Sequence, residues 1–196
     1  KMKLPLQYQI SEYDCGPTSL RNAMAFLMER EKMPQELLCA IMNICLDGYH
    51  AHGTREPVSV HGTSDDAMMT FAGKFNDIAK KDHLPYHVDV VLDTDVNTHN
   101  ALIQNALHNG GAVVAKVMVD VAHYVLMTGE KDDTVRLFDP YIPEKPYHHE
   151  GVTWTYDHPH SYNVEVKADY MDRNDTEWWS FGKMDERIAL VFSCDA

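Results

Sequence analysis

The chain has 196 residues, of which 44% are hydrophobic and 24% charged, a composition that suits one globular domain over residues 1–196 and excludes a disordered class. Its formal net charge of −13 argues against a nucleic-acid partner, because phosphate binding relies on clustered Lys and Arg, and it is compatible with cationic peptides.

No run of about 18 apolar residues occurs, so the sequence predicts no membrane span. The first residues lack the apolar segment of a signal peptide, so we expect a cytoplasmic protein, or an extracytoplasmic one if a signal was trimmed.

The first part of the chain is predicted to be helical. Apolar residues recur at helical spacing, which predicts a first helix from Pro17 to about Glu31, with Cys15 at its cap, and a second from Pro34 to Leu46. A third helix is predicted to begin after Ser64, where two acidic residues suit the positive end of the helix dipole. Cys45 falls on the apolar face of the second helix, so we expect it in the core.

The second part of the chain, about 86–196, is predicted to be rich in strands. Thr98 is expected to cap one helix there, which runs through Leu107 and stops at Gly110-Gly111. Consecutive or alternating apolar residues, which are typical of strands, occur at 87–92, 112–119, 123–129, 134–139, 152–156, 164–170 and 188–192. Helices first, over about 15–80, and antiparallel strands afterwards predict an α+β fold.

Cys15 stands where a thiol would be activated. It lies in Gln9-Ile-Ser-Glu-Tyr-Asp-Cys15-Gly-Pro-Thr-Ser, directly ahead of the first helix. The unpaired N–H groups and the positive end of the dipole at a helix start both favour the thiolate, which is the nucleophilic form. Gln9, six positions upstream, is close enough to bring its amide back beside the sulfur, where an amide donor would stabilise an oxyanion.

A base and an orienting acid are indicated further along the chain. His123 begins an apolar run that follows the apolar segment 112–119, and Asp139 ends an alternating strand and is fixed by Pro140. Two neighbouring antiparallel strands would bring His123 and Asp139 together. In that geometry Asp139 would hold the imidazole while His123 exchanges a proton with Cys15.

Taken together, these segments resemble the papain-like cysteine peptidases of the C39 family and their C39-like relatives, over residues 7 to about 141. The resemblance rests on Gln9, Cys15-Gly-Pro-Thr-Ser, His123-Tyr-Val-Leu-Met-Thr-Gly and Asp139-Pro-Tyr. It implies a papain-like fold and the hydrolysis of a peptide or small amide substrate without a cofactor. It also implies a role for each residue: oxyanion glutamine for Gln9, nucleophile for Cys15, base for His123 and orienting acid for Asp139.

The chain also departs from the family. Its best-known members are fused to membrane exporters and trim leader peptides, and no exporter segment or Walker-type glycine loop is seen in this sequence. The segment 47–64 is longer than a compact member needs and would form a lid or a surface loop, and the tail after residue 142 matches no assignable role. Two other functions stay open: transfer of the acyl group to an amine instead of water, and a C39-like binding module without turnover.

Other polar and aromatic clusters favour structural interpretations. His50-Ala-His52 and His158-Pro-His160 have spacings that suit a chelate, but no companion cysteine or carboxylate pattern accompanies them, so we expect exposed loop histidines and no metal site. In the pair Trp178-Trp179 we expect one core and one surface contact in preference to a substrate groove.

Overall fold

The computed structural model describes residues 2–48, 62–145 and 148–195. The helices are α1 Cys15–Leu27, α2 Gln35–Ile44, α3 Asp65–Lys81, α4 Ala101–His108 and α5 Ala168–Asp172. The strands are β1 Tyr86–Leu92, β2 Ala112–Val119, β3 Val121–Lys131, β4 Thr134–Phe138, β5 His148–His149, β6 Val152–Trp154, β7 Val164–Lys167 and β8 Ile188–Cys194.

Side-chain caps explain where two helices begin. Helix α3 begins after Ser64 as predicted, and Ser64 caps it, because its Oγ accepts a hydrogen bond from the Ala67 N–H at 3.0 Å. The prediction for α4 was wrong: Asn100 is the cap, and its Oδ1 accepts hydrogen bonds from the first turn of the helix. Thr98 is buried, and its N–H donates to the Asp172 carboxylate at 2.8 Å. Because Thr98 is bound to Asp172 in this way, it does not cap α4.

Other element bounds also differ from the predictions. Helix α1 begins at Cys15 itself and ends at Leu27, four residues before the predicted end at Glu31. The predicted strand 164–170 is β7 only to Lys167, and the chain then turns into α5. At that point the Ala168 N–H donates to the Asp133 carbonyl, just before β4. Every second residue is buried in β7, whereas in α5 the buried residues are Ala168 and Met171, three positions apart.

The described strands form one eight-stranded sheet in the order β1-β8-β2-β3-β4-β7-β6-β5, with antiparallel neighbours throughout. Helices α1 to α3 pack on one face, and α4 and α5 pack on the other. This mixture of helices with an antiparallel sheet confirms the α+β class and is consistent with the papain-like fold that the resemblance implied. The tail beyond residue 142 supplies half of the strands, and its last strand, β8, lies between β1 and β2.

Each face of the sheet has its own apolar core. On the α1 to α3 side, the ring of Phe192 in β8 meets that of Phe75 in α3 edge-on, with centroids 5.2 Å apart. Cys45 lies in this core, fully buried as predicted. On the other side, Trp179 is 1% exposed while its neighbour Trp178 is 45% exposed, which confirms the expectation of one core and one surface indole.

Part of one predicted segment falls outside the described residues. The pair His50-Ala-His52 and most of the segment 47–64 lie there. The two ends of that segment meet, because the Gly48 N–H donates to the Gly62 carbonyl at 2.8 Å. His158 and His160 are exposed, as expected. Among residues 2–48, 62–145 and 148–195, no helix has the length and apolar character needed to cross a membrane.

Phe192 offers a test of this architecture, because it is fully buried in a strand between β1 and β2. We expect Phe192→Ala to lower the free energy of unfolding by about 3 to 5 kcal/mol, since the cavity adds to the lost transfer energy. Val90→Ala, on the neighbouring strand and 36% exposed, is the control and should cost less than about 1 kcal/mol in urea denaturation. A loss below about 1 kcal/mol for Phe192→Ala would contradict this position of β8.

Candidate active site

Cys15 is the first residue of α1, so its sulfur lies at the end of the helix where backbone N–H groups are unpaired. His123 and the backbone N–H groups of Tyr124 and Gly16 lie beside the sulfur and lower the pKa of the thiol. The helix start and the adjacent strand β3 therefore meet at this atom. Both the N–H groups and the helix dipole favour a negatively charged sulfur.

Local contacts explain two of the residues that follow Cys15, Gly16 and Ser19. A Cβ atom at position 16 would collide with the Thr63 side chain, so the close approach of Thr63 requires glycine. Three residues on, the buried Ser19 hydroxyl donates to the Tyr124 carbonyl at 2.9 Å. Because Tyr124 follows His123 in β3, this bond fixes α1 against the strand that carries the imidazole.

His123 and Asp139 are brought together by neighbouring antiparallel strands, as the sequence predicted. Strands β3 and β4 pair through Leu126 and Phe138, and Asp139 directly follows β4. The His123 Nε2 lies 2.7 Å from the Asp139 Oδ1, and the two side chains are only 7% and 9% exposed. This contact occupies Nε2 and leaves Nδ1 for Cys15.

The charges in this arrangement reinforce one another. Burial alone would lower the pKa of His123, but the charge of Asp139 and the hydrogen bonds with Asp139 and Cys15 raise that pKa well above 6.5. Burial would likewise raise the pKa of Cys15, but the hydrogen bond and the charge of His123 hold it below 9.0. An imidazolium stabilises a thiolate and is itself stabilised by it, so each group favours the charged form of the other.

Asp139 is itself held by a residue that the sequence analysis missed. Its backbone N–H donates to the Asn163 Oδ1 at 2.7 Å, and its carbonyl accepts from the Asn163 Nδ2 at 2.8 Å. Asn163 is 1% exposed and stands just before β7. A lone asparagine before a strand has the pattern of a turn residue, so nothing in the local sequence distinguishes it.

Gln9 reaches the site by its backbone. Its N–H donates to the Pro140 carbonyl at 2.8 Å, which places the segment beside Asp139. The side-chain Nε2 donates to the Ser11 carbonyl at 2.6 Å, so the amide rests on Ser11 and not on Cys15. The Oε1 atom is buried and has no hydrogen-bond partner in the described part of the chain. Nε2 carries a second hydrogen that this contact leaves unused.

Asp14 shapes the loop that connects Gln9 to Cys15. Its carboxylate accepts hydrogen bonds from the backbone N–H groups of Ile10 at 3.2 Å and Ser11 at 2.8 Å. Burial would raise the pKa of Asp14, but these bonds and those from hydroxyl groups lower it overall. The loop is therefore closed around a carboxylate that stays ionised.

The other cysteines do not share this environment. Burial together with the charge of Asp47 raises the pKa of Cys45 to about 12, and no cation among the described residues opposes that shift. Burial also raises the pKa of Cys194, and Cys39 is exposed on α2. Within the described ranges, no group of three or more His, Cys, Asp and Glu side chains is placed to hold a metal ion.

Comparison with known proteins identifies the family. The model of the Peptidase_C39 like family matches residues 1–177. The chain belongs to that family. The match includes Cys15, His123 and Asp139, and it extends past residue 141 to take in Asn163. Among solved structures, the peptidase domain of Streptococcus mutans ComA is similar at 14% identity, covering 97% of this chain and 99% of that chain, with a TM-score of 0.43. No curated protein matches the chain.

The pairing of Cys15 with His123 predicts a pH dependence of alkylation. We expect iodoacetamide to label Cys15 well below pH 9.0, the ordinary thiol pKa, because the thiolate is the reacting form. In His123→Ala, burial acts without the opposing positive charge, so the thiol pKa rises and labelling at neutral pH falls about tenfold or more. Peptide mass mapping measures the rate at each cysteine.

The same experiment contains its own controls. Exposed Cys39 should be labelled equally in both proteins, and buried Cys45 should stay unlabelled until the protein unfolds. Identical pH profiles for Cys15 in the wild type and in His123→Ala would contradict the pairing.

Proposed function

We propose that this member of the C39-like family is a cysteine peptidase that hydrolyses peptide bonds through Cys15, His123 and Asp139. The observation that carries the proposal is the 2.7 Å contact of the Asp139 carboxylate with His123, together with the influence of His123 on the Cys15 sulfur at a helix start. Its electrostatics lower the thiol pKa and raise the imidazole pKa, which is what a nucleophile and its acid–base partner require. A structural cysteine would need neither shift.

The reaction begins when the Cys15 thiolate attacks the carbonyl carbon of the substrate and forms a C–S bond. The tetrahedral intermediate collapses with cleavage of the C–N bond, and the leaving amine takes its proton from the His123 imidazolium. Water then attacks the thioester, and His123 accepts the proton of that water. When the C–S bond breaks, the acid product leaves and the thiolate–imidazolium pair is restored.

Asp139 acts on this cycle through His123. Its carboxylate keeps the imidazole oriented, with Nε2 toward Asp139 and Nδ1 toward the sulfur, and it stabilises the imidazolium between the two half-reactions. The oxyanion would be stabilised by the backbone N–H of Cys15 at the helix start and by the second hydrogen on the Gln9 Nε2. Gln9 would supply that donor while its first hydrogen stays on Ser11.

Cys15→Ala tests the proposal. We expect it to reduce cleavage at least about a thousandfold, because the nucleophile that forms the thioester is removed, while the free energy of unfolding changes by less than about 1 kcal/mol. Cleavage is measured as new termini in a peptide mixture by mass spectrometry, and stability by urea denaturation. Cys39→Ala, which removes an exposed cysteine, is the matched control and should keep both properties. Persistent cleavage together with a large loss of stability in Cys15→Ala would mean that Cys15 serves packing.

The same assay separates the two alternatives. Added glycinamide competes with water for the thioester, so amide adducts that outnumber free acids would identify an acyltransferase. A thiolate at Cys15 that neither cleaves nor forms an acyl-enzyme with any peptide in the mixture would identify a binding module.

A further inference from the structure

The Asn163 side chain acts as a clamp on the backbone of Asp139. Its Oδ1 accepts from the Asp139 N–H at 2.7 Å, and its Nδ2 donates to the Asp139 carbonyl at 2.8 Å. One amide group thus fixes the peptide units on both sides of the Asp139 Cα atom, which sets the direction of the side chain. Asn163 is itself anchored, because its backbone N–H donates to the Leu137 carbonyl at 3.0 Å and its carbonyl accepts from the Thr155 N–H at 2.8 Å.

The clamp lies just past the end of β4, where the hydrogen bonds between strands stop. The β3 ladder reaches Phe138 and the β7 ladder reaches Leu137, so Asp139 stands one residue beyond the first and two beyond the second. The next residue, Pro140, has no N–H to donate. Buried backbone groups need hydrogen-bond partners, and at Asp139 the partner is a side chain and not a strand.

We propose that Asn163 is a positioning residue, which fixes the approach of the Asp139 carboxylate to the Nε2 of His123 across 2.7 Å. This inference rests on the proposed function. Without the clamp, the Tyr141 N–H still donates to the Asp139 Oδ1 at 2.9 Å, but the backbone that carries the carboxylate is released. The contact that compensates the buried imidazolium is then weakened. The pKa of His123 then falls, and that of Cys15 rises because the neighbouring positive charge is lost.

The Asn163 amide also contacts the segment that carries Gln9. Its Nδ2 lies 3.4 Å from the Tyr8 hydroxyl, and the Tyr8 ring packs on Phe138 with centroids 5.2 Å apart. Asn163 therefore contacts both the segment that carries Gln9 and the segment that carries Asp139. It lies in the tail after residue 142, to which the sequence motifs assigned no role.

A matched clamp elsewhere in the fold provides the control. Asn76 in α3 accepts from the Val88 N–H at 2.8 Å and donates to the Val88 carbonyl at 2.9 Å. Val88 lies in β1, at the edge of the sheet, and belongs to no proposed catalytic contact. Asn76→Ser therefore removes the same pair of side-chain hydrogen bonds from a backbone segment that has only a structural role.

The test compares Asn163→Ser with Asn76→Ser by the pH profile of Cys15 alkylation and by thermal unfolding. We expect both variants to lose stability, and only Asn163→Ser to move the labelling midpoint of Cys15 upward by about one pH unit, a tenfold lower thiolate fraction below the midpoint. Asn163→Thr, which fills more of the vacated space, gives the same comparison if the serine variant does not fold.

The outcomes separate this inference from the proposed function. A folded Asn163 variant with the wild-type profile, or an equal shift in Asn76→Ser, would overturn the positioning role while leaving the peptidase proposal intact. A wild-type Cys15 that titrates like an ordinary thiol would overturn both.

Discussion

The 2.7 Å contact between the His123 Nε2 and the Asp139 Oδ1 is the interaction on which the candidate site depends. An imidazolium that is less than a tenth exposed is costly unless a carboxylate compensates for the lost water. Asp139 supplies that compensation on one side and the Cys15 thiolate on the other. Asp139 raises the pKa of His123, and the positive charge on His123 in turn lowers the pKa of Cys15, so the carboxylate contributes to both shifts.

The rest of the fold holds these three groups in register. Strands β3 and β4 bring His123 and Asp139 side by side, and the buried Ser19 hydroxyl fixes α1 to the backbone of β3. The Gln9 segment is bound to Pro140 by a backbone hydrogen bond. Segments far apart in the chain thus meet at one point, and the tail beyond residue 142 contributes strands to the sheet as well as the Asn163 clamp.

Local sequence patterns predicted the features that depend on neighbouring residues, namely where helices begin and where strands lie. Helical spacing predicted the start of α1 to within two residues of Cys15, and the third helix was predicted to begin after Ser64, where α3 begins. Consecutive or alternating apolar residues predicted seven of the eight described strands, and the two-residue strand β5 was not predicted. The pairing of His123 with Asp139 followed because consecutive antiparallel strands are neighbours in this sheet.

Contacts between distant residues decided the features that the sequence did not predict. Thr98 and Asn100 are both suitable caps, and only the bond from Thr98 to Asp172 selects Asn100. The Asn163 clamp joins residues 24 positions apart, and no periodicity signals it. One local contact was not predicted either: the Gln9 amide donates to the Ser11 carbonyl two residues away, and composition and spacing do not encode that side-chain orientation.

The most direct test of the central claim is the protonation state of His123, measured by ¹⁵N NMR of the imidazole as a function of pH. We expect both ring nitrogens to carry protons still at about pH 8, well above the ordinary histidine pKa, and Cys15→Ala to lower the pKa of His123 by removing the thiolate. An imidazole that titrates to its neutral form near pH 6.5, with no response to the loss of Cys15, would contradict it.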